Sequence, residues 1–468
     1  MNSLMHTRIS LLTDAGSFCR LGPDNDSELV GGTGTIEGRK VCIIAINPSA
    51  TVKEDAFDIL QQELALLDLA EREQIPLIHL ADRPGRVAME TTAIPLAIMR
   101  TFIDRHGAGR VFARFAQLSG IVPRIAVVFS PIATTLTYPV AECDTVVMVH
   151  RAGMSLARPD MVRLMTGDPS AYEEYGGAEM HCEISGTCDK LVFSEEEALI
   201  WVRHYLALFP RNFQEMPPCA PPVPPDGVPD PAMVPADLDQ TFDMHDVILS
   251  CIDEGSLLEH RARYAREVIT AFARVDGIPA GIVANNPERR GGILFPETCR
   301  KIAAFASLCD AFNFPIVFLA DTPGFMVGRA AEQAGIIHHG ALVFSTLANL
   351  SVPHTCIVVR KAYTAGLYAM GGPGFGPDRF MAFPQAHITI YGPKAIRLLA
   401  KESHMSEEAQ SNVADQVKDN CNVWRYHEAG DLDAVVSPED LRREIAQFLT
   451  DARKKMPERR DPRRVLCL

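Results

Sequence analysis

The sequence contains two copies of one pattern of residues, and this repeat limits the possible folds more than any other feature. An Asp-x-Gly-Ser turn at Asp14 recurs at Asp253, and an Ala-Asp-x-Pro-Gly turn ending at Gly85 recurs at Gly324, each 239 positions later. A glycine-to-proline segment at 38–48 recurs at 277–287 with the same spacing, and residues 122–138 match residues 352–368 at a spacing of 230. Four blocks in one order indicate two copies of a single structural unit.

A proline-rich segment lies between the two copies. Ten of the 26 residues from 210 to 235 are proline. Because proline fixes φ and has no N–H, we expect an extended linker there rather than a packed element. A chain of 468 residues is long enough for two full-sized cores. We therefore predict an N-terminal domain over 1–211, a linker over 212–236 and a C-terminal domain over 237–468.

Each copy alternates apolar strands with a helix. The expected elements are, in the first copy, a strand at 41–46, a helix at 55–73 and a strand at 77–81, and in the second copy a strand at 280–284, a helix at 298–312 and a strand at 316–320. Strands that alternate with helices are typical of α/β units with parallel pairing. The sequence therefore predicts an α/β fold made of two tandem domains.

Composition and charge exclude several classes of protein. The chain is 47% hydrophobic and 22% charged, as globular proteins are, and its net charge of −14 would repel a nucleic acid. No window approaches the ~18–20 apolar residues that a membrane span needs, and the N-terminus lacks a stretch of signal-peptide length. We expect no nucleic-acid partner, no membrane span and a cytoplasmic location.

The twelve cysteines are scattered between Cys19 and Cys467, and most lie beside apolar residues. We interpret them as small buried hydrophobes rather than as a disulfide framework. His181, Cys182 and Cys188 have the nearest spacing to that of metal ligands, but no second pair completes a set of four. We therefore expect no metal site.

Common catalytic motifs such as G-x-S-x-G, the Walker loop and HExxH do not occur in the sequence. Instead, each copy has a strand that leads into small residues, at 133–135 and 364–366, and then into an expected helix. Peptide N–H groups at such a point have no intrahelical acceptor and can form an oxyanion hole. A tight turn that simply packs well explains the same residues, and the residues alone leave both interpretations open. A helix expected over 330–350 carries His338 and His339, which we interpret as surface or subunit-contact residues.

Several segments together resemble one protein family. The first half has an Asp-x-Gly-Ser-Phe opening, Gly-x-Ile-x-Gly-Arg at 34–39 and Gly-Gly-Ala-x-x-His-x-x-x-Ser-Gly at 176–186. The second half adds Asp-Thr-Pro-Gly-Phe at 321–325, Gly-Ile-Ile-His-His-Gly-Ala at 335–341 and Arg-Lys-Ala-Tyr at 360–363. The chain thus resembles the carboxyltransferase (β) subunits of biotin-dependent acyl-CoA carboxylases of the propionyl-/methylcrotonyl-CoA type. It is also similar to the related subunits of biotin-dependent decarboxylases.

This resemblance implies two crotonase-like domains of ββα-spiral type. The first would hold a coenzyme A thioester, and the second domain of a partner subunit would hold carboxybiotin, so the chain would form at least a dimer and is expected to form a hexamer. The implied reaction moves a carboxyl group between carboxybiotin and acyl-CoA through an enolate that backbone N–H groups stabilise. No Ala-Met-Lys-Met segment occurs, so biotin would arrive on a separate biotin carboxyl carrier protein, with a biotin carboxylase subunit as a second partner.

The resemblance also assigns the two oxyanion holes to residues of this chain. The hole of the second domain corresponds to Ala365 and Gly366, and that of the first domain to Thr134 and Thr135. The family has two glycines where Thr134 and Thr135 stand. The N–H groups survive this change, but β-branched side chains narrow the approach, and a threonine with positive φ would cost on the order of 1–3 kcal/mol.

Five further residues are predicted to bind the cofactor or the substrate. Gly324, Phe325 and Thr364 correspond to the biotin side of the family site, which matches the family pattern closely. Arg83 and Arg86 follow a strand in a turn that is less glycine-rich than in the family. We interpret these two as contacts for an anionic part of the acyl substrate or for the CoA phosphates, with solvated turn arginines as the open alternative.

The sequence is therefore compatible with three functions. The first is a carboxyltransferase acting on a non-standard acyl group. The second is a decarboxylase or transcarboxylase that acts on a malonyl-type thioester with the same two holes. The third is a non-catalytic subunit of a carboxylase complex, in which Thr134 and Thr135 have inactivated the first site.

Overall fold

The apolar runs of the sequence form the sheets of two compact units in the computed structural model, which describes residues 4–22, 27–50, 55–82, 96–403, 421–456 and 461–466. Unit 1 comprises Met1–Pro217 with Arg459–Leu468, and unit 2 comprises Pro218–Glu458. The division after residue 217 falls inside the segment that we expected to be a linker. The C-terminal residues, expected in the second domain, belong to unit 1, where the Val465 N–H donates to Ser119 Oγ at 3.0 Å.

Unit 1 contains a seven-stranded sheet with the order β1-β2-β3-β4-β5-β7-β9 and a two-stranded sheet, β6-β8. The first three strands of the large sheet are antiparallel and the following ones are parallel. The strands are β1 (Cys19–Leu21), β2 (Leu29–Ile36), β3 (Arg39–Ile46), β4 (Leu77–Ala81), β5 (Arg124–Val128), β6 (Pro131–Ala133), β7 (Thr145–Val149), β8 (Gly153–Ser155) and β9 (Lys190–Val192).

The central parallel strands β4, β5 and β7 are buried at every residue. This explains why the sequence shows continuous apolar runs there instead of alternation, since helices cover both faces of a parallel sheet. The helices of unit 1 are α1 (Leu4–Leu12), α2 (Ala56–Glu73), α3 (Leu96–Ile103), α4 (Ala108–Gln117), α5 (Thr137–Ala141), α6 (Pro159–Thr166), α7 (Tyr172–Gly176), α8 (Ala178–Met180) and α9 (Glu195–Leu208).

Unit 2 has a sheet with the order β10-β11-β12-β13-β14-β15-β17, and β16 also pairs with β14. Its first three strands are again antiparallel and the rest parallel. The strands are β10 (Leu258–His260), β11 (Val268–Val275), β12 (Ile278–Asn285), β13 (Ile316–Thr322), β14 (His354–Tyr363), β15 (Arg379–Ala382), β16 (His387–Thr389) and β17 (Ala434–Val435). The mixed α/β class that the sequence predicted is confirmed.

The helices of unit 2 include one correction to the sequence analysis. The single helix expected over 330–350 is two helices, because Gly335 between them has a φ of 79°. The helices are α10 (Met244–Leu249), α11 (Pro296–Ala311), α12 (Arg329–Gln333), α13 (Ile336–Ala348), α14 (Ala365–Ala369), α15 (Pro393–Glu402), α16 (Val423–Ala429) and α17 (Leu441–Lys455).

The first hairpin of each large sheet is held in the same way. Asp14 accepts hydrogen bonds from the N–H groups of Glu37 and Gly38 at 2.9 and 2.8 Å. In unit 2 Asp253 accepts from Asp276 and Gly277 at the same two distances. The aspartates that begin both copies of the sequence pattern therefore cap the β2–β3 and β11–β12 turns.

Two further expectations are corrected by the structure. The proline-rich segment is not a free linker, because the Ala220 N–H donates to the Gly277 carbonyl at 3.0 Å and Val234 is buried in the core of unit 2. Cys182 and Cys188, expected to be ordinary packed thiols, form a disulfide in unit 1. Within the part of the chain that the structure describes, none of the helices is long and apolar enough to cross a membrane.

Candidate active site

In unit 2 the chain turns sharply at Thr364, where β14 ends and α14 begins. Thr364 has a φ of 48°, and its N–H donates to the Thr389 carbonyl at 3.1 Å. The next two N–H groups, those of Ala365 and Gly366, lie in the first turn of α14, where a helix provides no acceptor. Neither donates to any acceptor in the described residues. The turn therefore presents two adjacent N–H donors at the carboxyl end of a central strand.

Glycine is required at this turn because the ends of β13 and β14 touch there. A Cβ atom on Gly366 would lie 2.7 Å from Gly324 Cα and 3.0 Å from Thr322 Cγ2. Gly324 itself has a φ of 109°, and a Cβ atom on it would lie 3.1 Å from Thr364 Oγ1. Three of the residues predicted for the biotin side, Gly324, Thr364 and Gly366, are thus in direct contact.

Phe325, another residue predicted for that side, is held by the segment before α11. The Leu294 N–H donates to the Gly324 carbonyl at 3.0 Å, and the Met326 N–H donates to the Leu294 carbonyl at 2.8 Å. The half-buried Phe325 ring lies 5.9 Å from the ring of Phe344. Phe344 in turn stacks on Phe375, so the turn at Thr364 has an aromatic group of residues beside it.

Unit 1 has a turn of the same kind between β6 and α5. Thr134 has a φ of 63° and begins a single 3₁₀ turn, Thr134–Leu136. Its carbonyl accepts from the Thr137 N–H and from Thr137 Oγ1, the latter at 2.7 Å. Over the described part of the chain, the N–H groups of Thr135 and Leu136 have no acceptor. This turn also presents two adjacent donors.

The positive φ angles align the two turns. The spacing of 230 between the copies pairs Thr134 with Thr364, Thr135 with Ala365 and Leu136 with Gly366, and both threonines of the first pair have positive φ. The counterparts of Ala365 and Gly366 are therefore Thr135 and Leu136. The predicted pair, Thr134 and Thr135, lies one residue earlier. The spacing was available in the sequence and would have indicated Leu136.

The turn in unit 1 is supported by residues to which the sequence analysis gave no role. Strand β6 pairs with β8, where Met154 lies opposite Ile132. His181 Nε2 lies 2.8 Å from the Met154 carbonyl, and His181 Nδ1 lies 2.9 Å from Ser185 Oγ. Burial lowers the pKa of His181, so the neutral ring donates from Nε2 and accepts at Nδ1. His181 and Ser185 belong to the Gly-Gly-Ala-x-x-His-x-x-x-Ser-Gly segment, which therefore fixes β8 and, through it, the strand that leads to Thr134.

The remaining predicted residues, Arg83 and Arg86, lie outside the described residues. Beside the turn in unit 2, burial raises the pKa of Tyr363 to about 12, so its phenol is neutral at pH 7. The donors that both turns offer are backbone N–H groups. Such groups can stabilise negative charge on an acyl or ureido oxygen without supplying a proton or a nucleophile.

These features define a protein of the crotonase type. Each unit holds a mainly parallel sheet flanked by helices, and each carries two adjacent N–H donors at a turn between a strand and a helix. Comparison with known proteins gives the family. The carboxyl transferase domain family matches residues 4–465, so the chain belongs to that family, and the family predicted from the sequence is confirmed.

Relatives cover nearly the whole chain. An uncharacterized carboxylase of Bacillus subtilis, YngE, is 40% identical over 432 residues, which are 90% of this chain and 83% of that protein. The propionyl-CoA carboxylase beta chain of Saccharopolyspora erythraea is 30% identical over 97% of this chain and 88% of its own length. A crystal structure of transcarboxylase 12S, described as a hexamer assembly with hydrolyzed methylmalonyl-coenzyme A bound, matches with a TM-score of 0.88 at 29% identity, covering 98% of this chain and 91% of that one.

Proposed function

We propose that this chain transfers a carboxyl group between biotin on a separate carrier protein and an acyl-CoA thioester. The observation that carries the proposal is the repeated turn. Thr134 and Thr364 adopt positive φ at matching places, and each is followed by two N–H groups without an acceptor in the described residues. The reaction needs two oxyanions to be stabilised, one on the thioester and one on the biotin ureido group, and the chain offers one pair of donors for each.

The residues of unit 2 fit a biotin ureido group. Its carbonyl oxygen needs hydrogen-bond donors, which the N–H groups of Ala365 and Gly366 supply. Its rings need an apolar surface, and Phe325 with its neighbour Phe344 offers one. Because Gly324 and Gly366 lack side chains where they approach each other, no Cβ atom obstructs the backbone at this point. We therefore assign Gly324, Phe325 and Thr364 to the biotin side.

We assign the acyl-CoA thioester to unit 1, with its carbonyl oxygen at the N–H groups of Thr135 and Leu136. Thr134 is exposed at the mouth of this turn, and its branched side chain restricts the shape of the acyl group beside the thioester. Arg83 and Arg86 remain proposed contacts for an anionic part of the acyl group or for the CoA phosphates.

The protein residues act in this reaction by orientation and by stabilising charge. Bound biotin supplies the carboxyl group and, once decarboxylated, the nitrogen that accepts the α-proton of the thioester. The Thr135 and Leu136 N–H groups stabilise the enolate oxygen, and the Ala365 and Gly366 N–H groups stabilise the charge on the ureido oxygen. Loss of one such donor typically costs about 3 kcal/mol of transition-state stabilisation, or about 100-fold in rate.

The partners follow from this chemistry. A biotin carboxyl carrier protein and a biotin carboxylase subunit would deliver the activated group. We also propose that the site is completed by two copies of this chain in a homo-oligomer, for which the hexamer assembly of the transcarboxylase 12S structure offers a precedent. A cytoplasmic location stays a prediction.

The reverse half-reaction tests the proposal without any partner subunit. The purified protein is incubated with malonyl-CoA or methylmalonyl-CoA, with and without free biotin, and loss of the carboxyl group is followed by mass spectrometry. We expect loss that depends on biotin. Gly366→Pro removes one N–H donor in the first turn of α14, where the helix itself does not use that group, and it should reduce the rate about 100-fold.

Gly366→Ala is the matched control for this variant. It adds a Cβ atom at the same place, 2.7 Å from Gly324 Cα, but keeps the N–H group. A rate that falls equally in both variants would attribute the loss to crowding and contradict the role of the N–H group. Loss of the carboxyl group without biotin would indicate a decarboxylase instead. No loss with either thioester would contradict turnover of malonyl-type substrates and favour a non-catalytic subunit.

A further inference from the structure

In unit 2 a buried arginine fastens the strand that leads to the turn at Thr364. Arg360 Nη2 donates to Asp321 Oδ2 at 2.9 Å, and both side chains are at most 1% exposed. Asp321 Oδ1 accepts from the Lys361 N–H at 3.0 Å. The Arg360 guanidinium also lies over the Phe242 ring, 4.8 Å from its centre. Asp321, near the end of β13, is therefore tied to β14 four residues before Thr364.

The matching position in unit 1 lacks an arginine. The spacing of 230 that pairs Thr134 with Thr364 pairs Ser130 with Arg360, and the spacing of 239 pairs Asp82 with Asp321. A serine hydroxyl cannot neutralise a buried carboxylate, and Asp82 is only 4% exposed. A buried carboxylate is stabilised by a cation in hydrogen-bond contact with it, and in unit 1 such a cation must come from a position other than 130.

Arg8 of helix α1 supplies that cation. Its Nη1 donates to Asp82 Oδ2 at 2.6 Å, while Ser130 Oγ donates to the other oxygen of the same carboxylate. The Arg8 guanidinium lies over the Phe129 ring, 3.9 Å from its centre. Arg8 Nε and Nη2 donate to the two carboxylate oxygens of Glu195, at the start of α9, at 2.7 and 2.5 Å. Arg8 and Ser130 together therefore make in unit 1 two of the contacts that Arg360 alone makes in unit 2, those to the buried aspartate and to an aromatic ring. Arg360 also donates to the carbonyls of Asp237 and Gln240, whereas Arg8 binds Glu195.

We propose that Arg8 is a positioning residue for carboxyl transfer: through Asp82 and Ser130 it fixes the strand that leads to the N–H donors of Thr135 and Leu136. This inference rests on the proposed function, because the strand matters for catalysis only if those donors bind the substrate. Arg8 touches no reacting atom in this scheme. A displacement of about 1 Å in a donor pair can lower the rate by up to about 100-fold, so a residue that holds the turn changes kcat more than KM.

The pairing of Ser130 with Arg360 makes a rescue experiment possible. Arg8→Ala should lower kcat at least about tenfold, since Asp82 loses the Arg8 guanidinium and the strand before the turn is held less firmly. In the double variant Arg8→Ala/Ser130→Arg, the new arginine stands at the position in unit 1 that corresponds to Arg360 in unit 2. We expect its guanidinium to bind Asp82, as Arg360 binds Asp321. We expect this double variant to recover most of the lost kcat. Arg8→Lys, which cannot bind Asp82 and Glu195 together through a planar fork, should show a smaller loss and provides a second variant if Arg8→Ala does not fold.

Arg203→Ala is the matched control. Arg203 also links α9 to α1, by donating to the Leu12 carbonyl at 2.7 Å, but it has no hydrogen bond to Asp82. It should lower the melting temperature without a comparable loss of kcat well below that temperature. Equal losses of kcat in Arg8→Ala and Arg203→Ala, or a folded double variant as slow as Arg8→Ala, would overturn the proposal.

Hydrogen exchange separates failure of this inference from failure of the proposed function. The amides of Ile132, Ala133 and Thr137 are in or next to the turn, and they can be followed whether or not the protein turns over any substrate. We expect Arg8→Ala to speed their exchange, the double variant to restore it and Arg203→Ala to leave it unchanged. An inactive wild type with this exchange pattern would reject carboxyl transfer but keep Arg8 as the anchor of the turn. Unchanged exchange in Arg8→Ala would reject Arg8 in that role.

Discussion

Thr134 lies at the start of the proposed oxyanion turn of unit 1, and its backbone has an unfavourable conformation for threonine. Its φ of 63° lies in the left-handed region, which β-branched residues rarely adopt. The sequence has threonine where the family has glycine, but a φ angle cannot be read from a residue type. The structure shows that the sequence carries this strain twice, because Thr364 has a φ of 48°.

We expect Thr134→Gly to raise the free energy of unfolding by about 0.5–1 kcal/mol, since glycine adopts this φ without strain and the gain exceeds its entropic cost. Denaturant unfolding measures the change. Thr364→Gly should raise the free energy of unfolding by less, because this variant loses the hydrogen bond from Thr364 Oγ1 to the Tyr363 carbonyl at 2.8 Å. A Thr134→Gly variant less stable than the wild type would contradict strain at this position.

A second residue, His79 in β4, predicts how stability responds to acid. Burial lowers its pKa to about 4, below the value near 6.5 of an unfolded chain. The folded state therefore holds the ring neutral, and its contribution to stability is complete above pH 6.5 and is lost as the pH falls toward 4. His79→Leu should remove about 2–3 kcal/mol of the difference in unfolding free energy between pH 7.5 and pH 4.5.

His245 provides a control of opposite sign. The hydrogen bond to Glu259 raises its pKa to about 9, so its contribution is present below pH 6.5 and is lost as the pH rises through 9. His245→Gln should flatten the alkaline side of the stability profile and leave the range from 4.5 to 6.5 unaltered. A wild type and a His79→Leu variant with parallel acid profiles would contradict the assignment to His79.

At the scale of elements, the β2–β3 and β11–β12 turns have nearly the same backbone conformation but differ in how closely other atoms approach them. Gly38 and Gly277 have φ angles of 74° and 76°. A Cβ atom on Gly38 would have no atom within 4 Å, whereas one on Gly277 would lie 2.0 Å from the Ala220 carbonyl oxygen. The backbone of the proline-rich segment therefore lies against Gly277, whereas no atom crowds Gly38.

We expect Gly38→Ala to destabilise the protein by about 1 kcal/mol, the cost of a left-handed alanine. Gly277→Ala should cost at least about 2 kcal/mol, because the backbone at Ala220 must also move. Thermal and denaturant unfolding of the two variants compare these costs directly. Equal losses would show that the segment near Ala220 does not pack on the turn in solution.

At the scale of the whole molecule, several large apolar side chains are exposed on the single chain. Val327 and Ile337 in unit 2 are each 75% exposed, and Leu164 and Met165 in unit 1 are each 76% exposed. Such side chains occur together on surfaces that bind other proteins. They are consistent with the proposed homo-oligomer and do not require a partner of a different kind.

We expect the purified chain to form a hexamer of 51.3 kDa subunits. Light scattering after size-exclusion chromatography, at several protein concentrations, measures the mass. A dimer would still permit a site shared between two copies. A monomer at the concentrations used for activity would contradict the proposed arrangement, in which two chains complete the site.

The sequence by itself determined the α/β class and the family, and it showed the repeated pattern of residues from which both candidate turns were predicted. These features depend on local spacing and on apolar runs, which the chain order fixes. Only the tertiary structure decided which N–H groups lack an acceptor, that the proline-rich segment from residue 218 onward packs in unit 2, and that Arg8 reaches Asp82. Each of these depends on contacts between residues far apart in the sequence, and a one-dimensional pattern does not specify which of many possible contacts the packed chain makes.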